Sequence, residues 1–388
     1  MSGDKKYVLL NTVYRGDNFG SSLQAYALKK YVEEKFKVDC IIVERNEVGF
    51  MKKLCRLETV SVNFFKSFLS PRLFRDTWTS HFRKRCPQNR YSDAIQYNFM
   101  VFIEAELSPT YLSGKKMKEL ARSRSCLRCI TGSDQVWNPT GTHLKKDNFL
   151  TFSPKSKNIS YSASIGADKI PYYNYLPFRR YVSKINYISV REETAGQLLM
   201  NNFHISARVC VDPVLLAGKD FWIEKLKSIN MDTPFIIGYF LNKPSENAIT
   251  EIRRNIANNR SVYVVSKCDF PQYVAGTKQV SDLSPFEFIS YICHSECVLT
   301  DSFHGMLFSI LFNKKFFVYE RDYEKSVPQH SRIVSLLNGL NIADRYIRND
   351  VASDTAVLDD IDYSMVNPII EQMRKQSVSF LCEALRDE

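Results

Sequence analysis

Residues 301–305 read Asp301-Ser302-Phe303-His304-Gly305 and lie between two apolar runs, one ending at Thr300 and one spanning Met306 to Phe312. Histidine gives and takes a proton near neutral pH, and glycine lets the backbone come close to a ligand. A helix starting here would also turn unpaired N–H groups toward an anion. The set suits acid–base chemistry on a polar anionic substrate, with His304 as acid or base and the Ser302 hydroxyl beside it. The plain structural alternative is a buried, hydrogen-bonded histidine with Asp301 as helix cap, and His304 taken alone fits that alternative best.

Four more polar clusters stand at the ends of β-like runs. In "RGDNFGSS" Gly16 and Gly20 permit a tight turn, Ser21 or Ser22 can cap the next helix, and Asn18 and Gly20 become candidate ligand contacts; a plain capped turn fits equally well. In "GSDQVW" Ser133, Asp134 and Gln135 can hydrogen-bond a polyhydroxylated ligand and Trp137 can stack on a sugar face, or Asp134 simply shapes a loop. In "SVREE" Arg191 can grip a carboxylate or phosphate with two parallel hydrogen bonds, or pair with Glu192, Glu193 or another acid. "LNK" adds Lys243.

The elements that must position these groups alternate along the chain. Strand candidates are Tyr7–Tyr14, Asp39–Glu44, Cys126–Asp134, Asn158–Ser164, Asn186–Glu192 and Ala207–Pro213, then Phe235–Leu241, Ser261–Lys267, Cys297–Asp301 and Phe316–Glu320, with helical stretches between. This pattern predicts an α/β protein with two doubly wound parallel sheets in tandem. The expected division is an N-terminal domain over 1–217, a C-terminal domain over 218–360 and a C-terminal helix over 361–388 that can pack back on the first domain. Ligands of such sheets bind beyond the carboxyl ends of the strands. Five polar clusters at those ends therefore predict a site in the cleft between the sheets.

Composition narrows the setting. The chain has 388 residues, of which 44% are hydrophobic, and a net charge of +11. Neither a secretory leader nor an apolar run of ~20 residues is visible, so a cytoplasmic protein is expected. Between Phe50 and Arg90 ten Lys or Arg face two acids, a local charge of +8, with Phe64, Phe65, Phe68, Phe74, Trp78 and Phe82 interleaved. This basic-aromatic excursion reads either as a solvated face or as a surface for an anionic partner, such as a membrane. No nucleic-acid module accompanies it. The ten cysteines are scattered; Cys126 and Cys129 are the only close pair, and no second ligand pair with zinc spacing follows. A nucleophile elbow, a P-loop, an H-E-x-x-H motif and the G-x-G-x-x-G dinucleotide fingerprint are all absent.

In order, "NFGSSLQAYAL", "GSDQVWNP", "ISYSASIG", "SVREETAGQLL", "CVDPVLL" and "LTDSFHGMLFSILFNKKF" resemble the polysaccharide pyruvyl transferase family, from Asn18 to Phe316. The resemblance implies a GT-B-like pair of Rossmann-like domains with parallel sheets facing a cleft. It also implies transfer of pyruvate from phosphoenolpyruvate to two hydroxyls of a glycan or lipid-linked sugar, giving a cyclic ketal in surface polysaccharide biosynthesis, with no metal or other cofactor. By motif match His304 is similar to the family's catalytic histidine and Arg191 to its donor-binding arginine. Members with R-L-H-G carry a second arginine where this chain has Ser302, and a leucine at Phe303. These two positions are then candidate substrate contacts, and Lys243 or Arg15 could supply the missing cation. A lipid-linked acceptor would place the protein peripherally at the inner membrane face. Two other readings stay open: a nucleotide-sugar-dependent glycosyltransferase, and a non-catalytic sugar-binding relative.

Overall fold

The computed structural model describes residues 5–15, 17–47, 61, 90–140, 144–229, 234–321, 331–350 and 360–386. Apart from residue 61 and Arg90, the basic-aromatic excursion lies outside the described residues.

Seven parallel strands form the first sheet: β1 (Tyr7–Asn11), β2 (Asp39–Arg45), β3 (Thr110–Leu112), β4 (Cys126–Thr131), β5 (Asn158–Ala163), β6 (Tyr187–Val190) and β7 (Arg208–Val209). Their order is 3-2-1-4-5-6-7. The second sheet holds β8 (Phe235–Phe240), β9 (Ser261–Ser266), β10 (Lys278–Gln279), β11 (Cys297–Thr300), β12 (Lys315–Tyr319) and β13 (Tyr346–Ile347), in the order 10-9-8-11-12-13. Both are doubly wound, and both change direction beside their first strand, where ligand crevices of such sheets open. All six residues of β8 are buried. That is the pattern of a central parallel strand covered on both faces by helices. The expected strands all form. The edge strands β3, β10 and β13, of three, two and two residues, were not foreseen, being too short for any alternation to show.

Seven helices matter for the site: α1 (Phe19–Phe36), α2 (Glu193–Phe203), α3 (Pro213–Ala217), α4 (Pro285–His294), α5 (Phe303–Leu311), α6 (Ser331–Gly339) and α7 (Tyr363–Leu385). The two units meet through apolar surface. Phe19, at the start of α1, stacks on Phe288 of α4 with ring centroids 4.6 Å apart and meets Tyr239 of β8 edge-on. One apolar cluster runs through both units, so their cleft edges are held together by buried rings. The last helix touches both: Tyr363 Oη donates to the Lys314 carbonyl, while Ser377 Oγ accepts from Val211 N (2.9 Å) and Arg374 Nε donates to the Leu216 carbonyl (2.8 Å). No described helix is long and apolar enough to cross a membrane.

Candidate active site

The site is built where α5 leaves β11. Ser302 is the N-cap, its hydroxyl accepting from Gly305 N at 3.3 Å. Asp301 was the expected cap, but its carboxylate instead takes Leu241 N (2.8 Å) and Asn242 N (3.1 Å) and pairs with Arg321 at 3.2 Å. It thus ties the end of β8 to the end of β11. Burial raises the Asp301 pKa, against the pull of Arg321. With Ser302 outside the helix proper, His304 falls in the first turn and faces α1. Gly20 is required there, because a Cβ on it would overlap the imidazole. Gly305 is small for a different reason than ligand approach: a Cβ would crowd the Thr300 hydroxyl and the Tyr239 ring. Asn18 is the cap of α1, accepting from Ser21 N at 3.3 Å, so neither Ser21 nor Ser22 performs that role.

Across from α5, the strand ends of the first sheet contribute a buried ionic network. Arg191, after β6, donates to Asp212 Oδ2 at 2.7 Å and Asp134 Oδ1 at 3.3 Å. Ser21 Oγ donates to Asp134 at 2.6 Å, and Ser133 Oγ reaches Asp212 at 3.2 Å. Asp212 also caps α3, a role the following Pro213 favours, through Val214 N at 3.0 Å. His304 Nε2 lies 3.6 Å from Asp212 Oδ2 and is a buried atom without a hydrogen bond among the described residues. Burial alone would raise both aspartates. The His304 and Arg191 charges hold Asp212 far below the usual carboxylate range, and Arg191, His304 and Arg332 lower Asp134. Burial works against the Arg191 charge too, yet Asp212, Asp134 and Glu192 leave it more tightly protonated than an ordinary arginine. Glu192 is largely spent on the chain: its Oε1 accepts from Ser164 Oγ, Ile165 N and Gly166 N.

Phe303 supports two guanidinium groups. Arg191 lies 4.4 Å from its ring centroid and Arg332, in the first turn of α6, lies 5.2 Å from it. A small cavity of about 70 Å³ adjoins Arg191, Asp212, Phe303 and Arg332, though His304 does not line it. The arrangement combines an imidazole, an aspartate 3.6 Å from it and two guanidinium groups in a buried cleft. It can handle protons on a substrate carrying carboxylate or phosphate.

The family model for polysaccharide pyruvyl transferase matches residues 18–323. The chain belongs to that family. No curated protein sequence matches it. Among solved structures, a co-structure of S. aureus MnaA with UDP superposes with a TM-score of 0.55 at 13% identity, covering 99% of this chain and 98% of that one. A crystal structure of a UDP-N-acetylglucosamine 2-epimerase superposes with a TM-score of 0.53 at 10% identity, covering 99% and 97%. At such identity the likeness shows the fold, which is GT-B-like.

For a polysaccharide pyruvyl transferase family member, the foreseen site residues divide into two groups. His304, Ser302, Phe303, Arg191, Asp134, Ser133, Gly20 and Asn18 gather where α1, α5 and the strand ends meet. Trp137 does not present a face for a sugar. Its indole is fully buried, stacked on Phe149 with centroids 5.5 Å apart, and its N–H donates to the Asn148 carbonyl. Gln135 packs its amide against Gly166. Lys243 sits 5.8 Å over the Tyr273 ring, and Arg15 is engaged by Glu44 and Tyr111. Two central residues were not foreseen. Asp212 stood in "CVDPVLL" as the acid before a proline that opens a helix, a cap signature that concealed a second role. Arg332 gave one signal: it is the charged member of the face Arg332, Ser335, Leu336, Gly339, which lines the cavity.

Proposed function

We propose that this family member transfers pyruvate from phosphoenolpyruvate to two hydroxyls of a glycan or lipid-linked sugar, forming a cyclic ketal in surface polysaccharide biosynthesis. The observation that carries the reading is His304, paired with Asp212 and set beside buried arginines, at the motif position that the family model covers. The methylene carbon of the enol takes a proton, which leaves the central carbon electrophilic. One sugar hydroxyl adds to that carbon and gives up its proton. The second hydroxyl then displaces phosphate, its proton leaving with the phosphate or the base. His304 Nε2 handles one of these protons, and Asp212, 3.6 Å away, orients the ring. Arg191 meets the donor carboxylate with the N–H groups that Asp212 and Asp134 leave unused, among them its Nε–H, which has no hydrogen bond among the described residues. Asn18 meets acceptor hydroxyls, whereas fully buried Ser133, bonded to Ser162 and Asp212, and Asp134, held by Arg191 and Ser21, position the network around it.

The test is phosphate release from phosphoenolpyruvate with a panel of tagged mono- and disaccharides. Release that depends on a saccharide supports the reading. Sugar transfer from a nucleotide sugar, with phosphoenolpyruvate untouched, replaces it with the glycosyltransferase reading, and saccharide binding without turnover replaces it with the sugar-binding one.

Gly20→Ala should lower turnover on the order of 10²-fold, since the new methyl must push the His304 ring off its place and misplacement by about 1 Å costs that much. Unchanged turnover would show that the ring is not held there for catalysis. The basic segment between Phe50 and Arg90 suits attachment to an anionic bilayer, where each cation contributes roughly 1 kcal/mol. Co-sedimentation with anionic vesicles should exceed that with neutral ones and fall with salt; equal binding to both would mark the segment as a solvated face.

A further inference from the structure

Arg332 differs from Arg191 in how little of its charge is met. Its residue is 9% exposed, and its Nε is a buried donor without a hydrogen bond among the described residues. Among the described residues its acidic contact is Asp134 Oδ1 at 3.7 Å, an oxygen that Arg191 already holds at 3.3 Å. The Asp134 partner Oδ2 is occupied by Ser21. Arg191 and Arg321 add like charge near it, and Glu192 offsets them only in part. Burial, and then Arg191, bring the Arg332 pKa down to about 10, whereas the neighbouring carboxylates raise that of Arg191. A buried cation without a matched partner is costly to the fold and is expected where a ligand completes the pair.

We infer that Arg332 is the phosphate-binding residue of this cleft, supplying from α6 the second guanidinium that Ser302 does not. The inference rests on the reading of phosphoenolpyruvate as donor. Arg191 is bonded to two aspartates and its Nε lies 3.9 Å from Glu192 Oε2, so its charge is largely met and its remaining N–H groups suit a carboxylate rather than a doubly charged phosphate. Arg332 has an unbonded Nε and only a 3.7 Å contact from Nη1 to Asp134, so its fork is left to suit the two oxygens and double charge of a phosphomonoester. Both guanidinium groups rest against the Phe303 ring, 4.4 and 5.2 Å from its centroid, which supports them side by side in the cleft.

Titration calorimetry of the full chain with inorganic phosphate and with phosphoenolpyruvate tests this, using wild type, Arg332→Gln and Arg332→Lys. Loss of the fork should weaken both ligands on the order of 100-fold in Arg332→Gln, and about 10-fold in Arg332→Lys, which keeps the charge. Without ligand, Arg332→Gln should melt no lower than wild type, because an unmet cation has been removed; a lower melting temperature with unchanged affinities would make Arg332 a structural residue and overturn the inference. If Arg332→Gln fails to fold, undiminished phosphate affinity in Arg332→Lys overturns it equally. Wild type that binds phosphate but not phosphoenolpyruvate, with the variants weakened, leaves the phosphate site standing and removes the donor reading. Wild type that binds neither ligand removes both.

Discussion

Replacing His304 by alanine should lower turnover by about 10²–10⁴-fold, the range that general acid–base catalysis contributes. The loss should fall on kcat, with the affinity for phosphoenolpyruvate nearly kept, because the anion contacts assigned here belong to Arg191 and Arg332. The fold should survive: the imidazole packs on Gly20 and faces Asp212 without a hydrogen bond, so its removal breaks no bonded network. His304→Gln preserves most of the volume and separates lost packing from lost proton transfer. If both variants turn over at near wild-type rate, the histidine is a packing residue.

Asp212→Asn should have the largest effect on stability. Asp212 receives hydrogen bonds from Arg191, Ser133 and Val214, and removing one charge of a buried ion pair costs about 3–5 kcal/mol. The deficit should depend on pH. The Asp212 pKa is lower in the folded chain than its ordinary value of 3.8, so the carboxylate stabilises the fold fully above that value and loses its contribution as pH falls below it. The mutant has no such group to protonate. The gap between the two proteins should therefore narrow from pH 7 to pH 3. Asp301 shifts in the opposite direction but is common to both proteins and cancels in the difference. Urea unfolding at pH 7, 4 and 3 checks this; a gap independent of pH would mean that Asp212 acts through shape and capping rather than charge.

What could be read from the chain follows from which interactions are local. Strands such as Phe235–Phe240 and Cys297–Thr300 announce themselves because both faces are covered and the run is uniformly apolar. The polar ends of those strands mark the cleft, since nothing else explains hydrophilic residues at the same end of successive core strands. Local pattern fails where partners are distant. Asp301 and Ser302 are both good caps, and only the backbone of Leu241 and Asn242, sixty residues upstream, draws Asp301 away. The residue type of Trp137 suggests a sugar platform, but the Phe149 stack that buries it cannot be seen in "GSDQVW". Arg332 lies 141 positions after Arg191, and nothing in "SRIVSLL" says that the two share a phenylalanine ring.

The central claim is that a pyruvyl group moves from phosphoenolpyruvate to a saccharide diol in this cleft. Mass spectrometry of the tagged saccharide panel after incubation with phosphoenolpyruvate tests it most directly. The account expects a product heavier than its acceptor by one pyruvic acid less one water, formed by wild type and lost in His304→Ala. A product bearing an added sugar from a nucleotide-sugar donor, with phosphoenolpyruvate unconsumed, would contradict it.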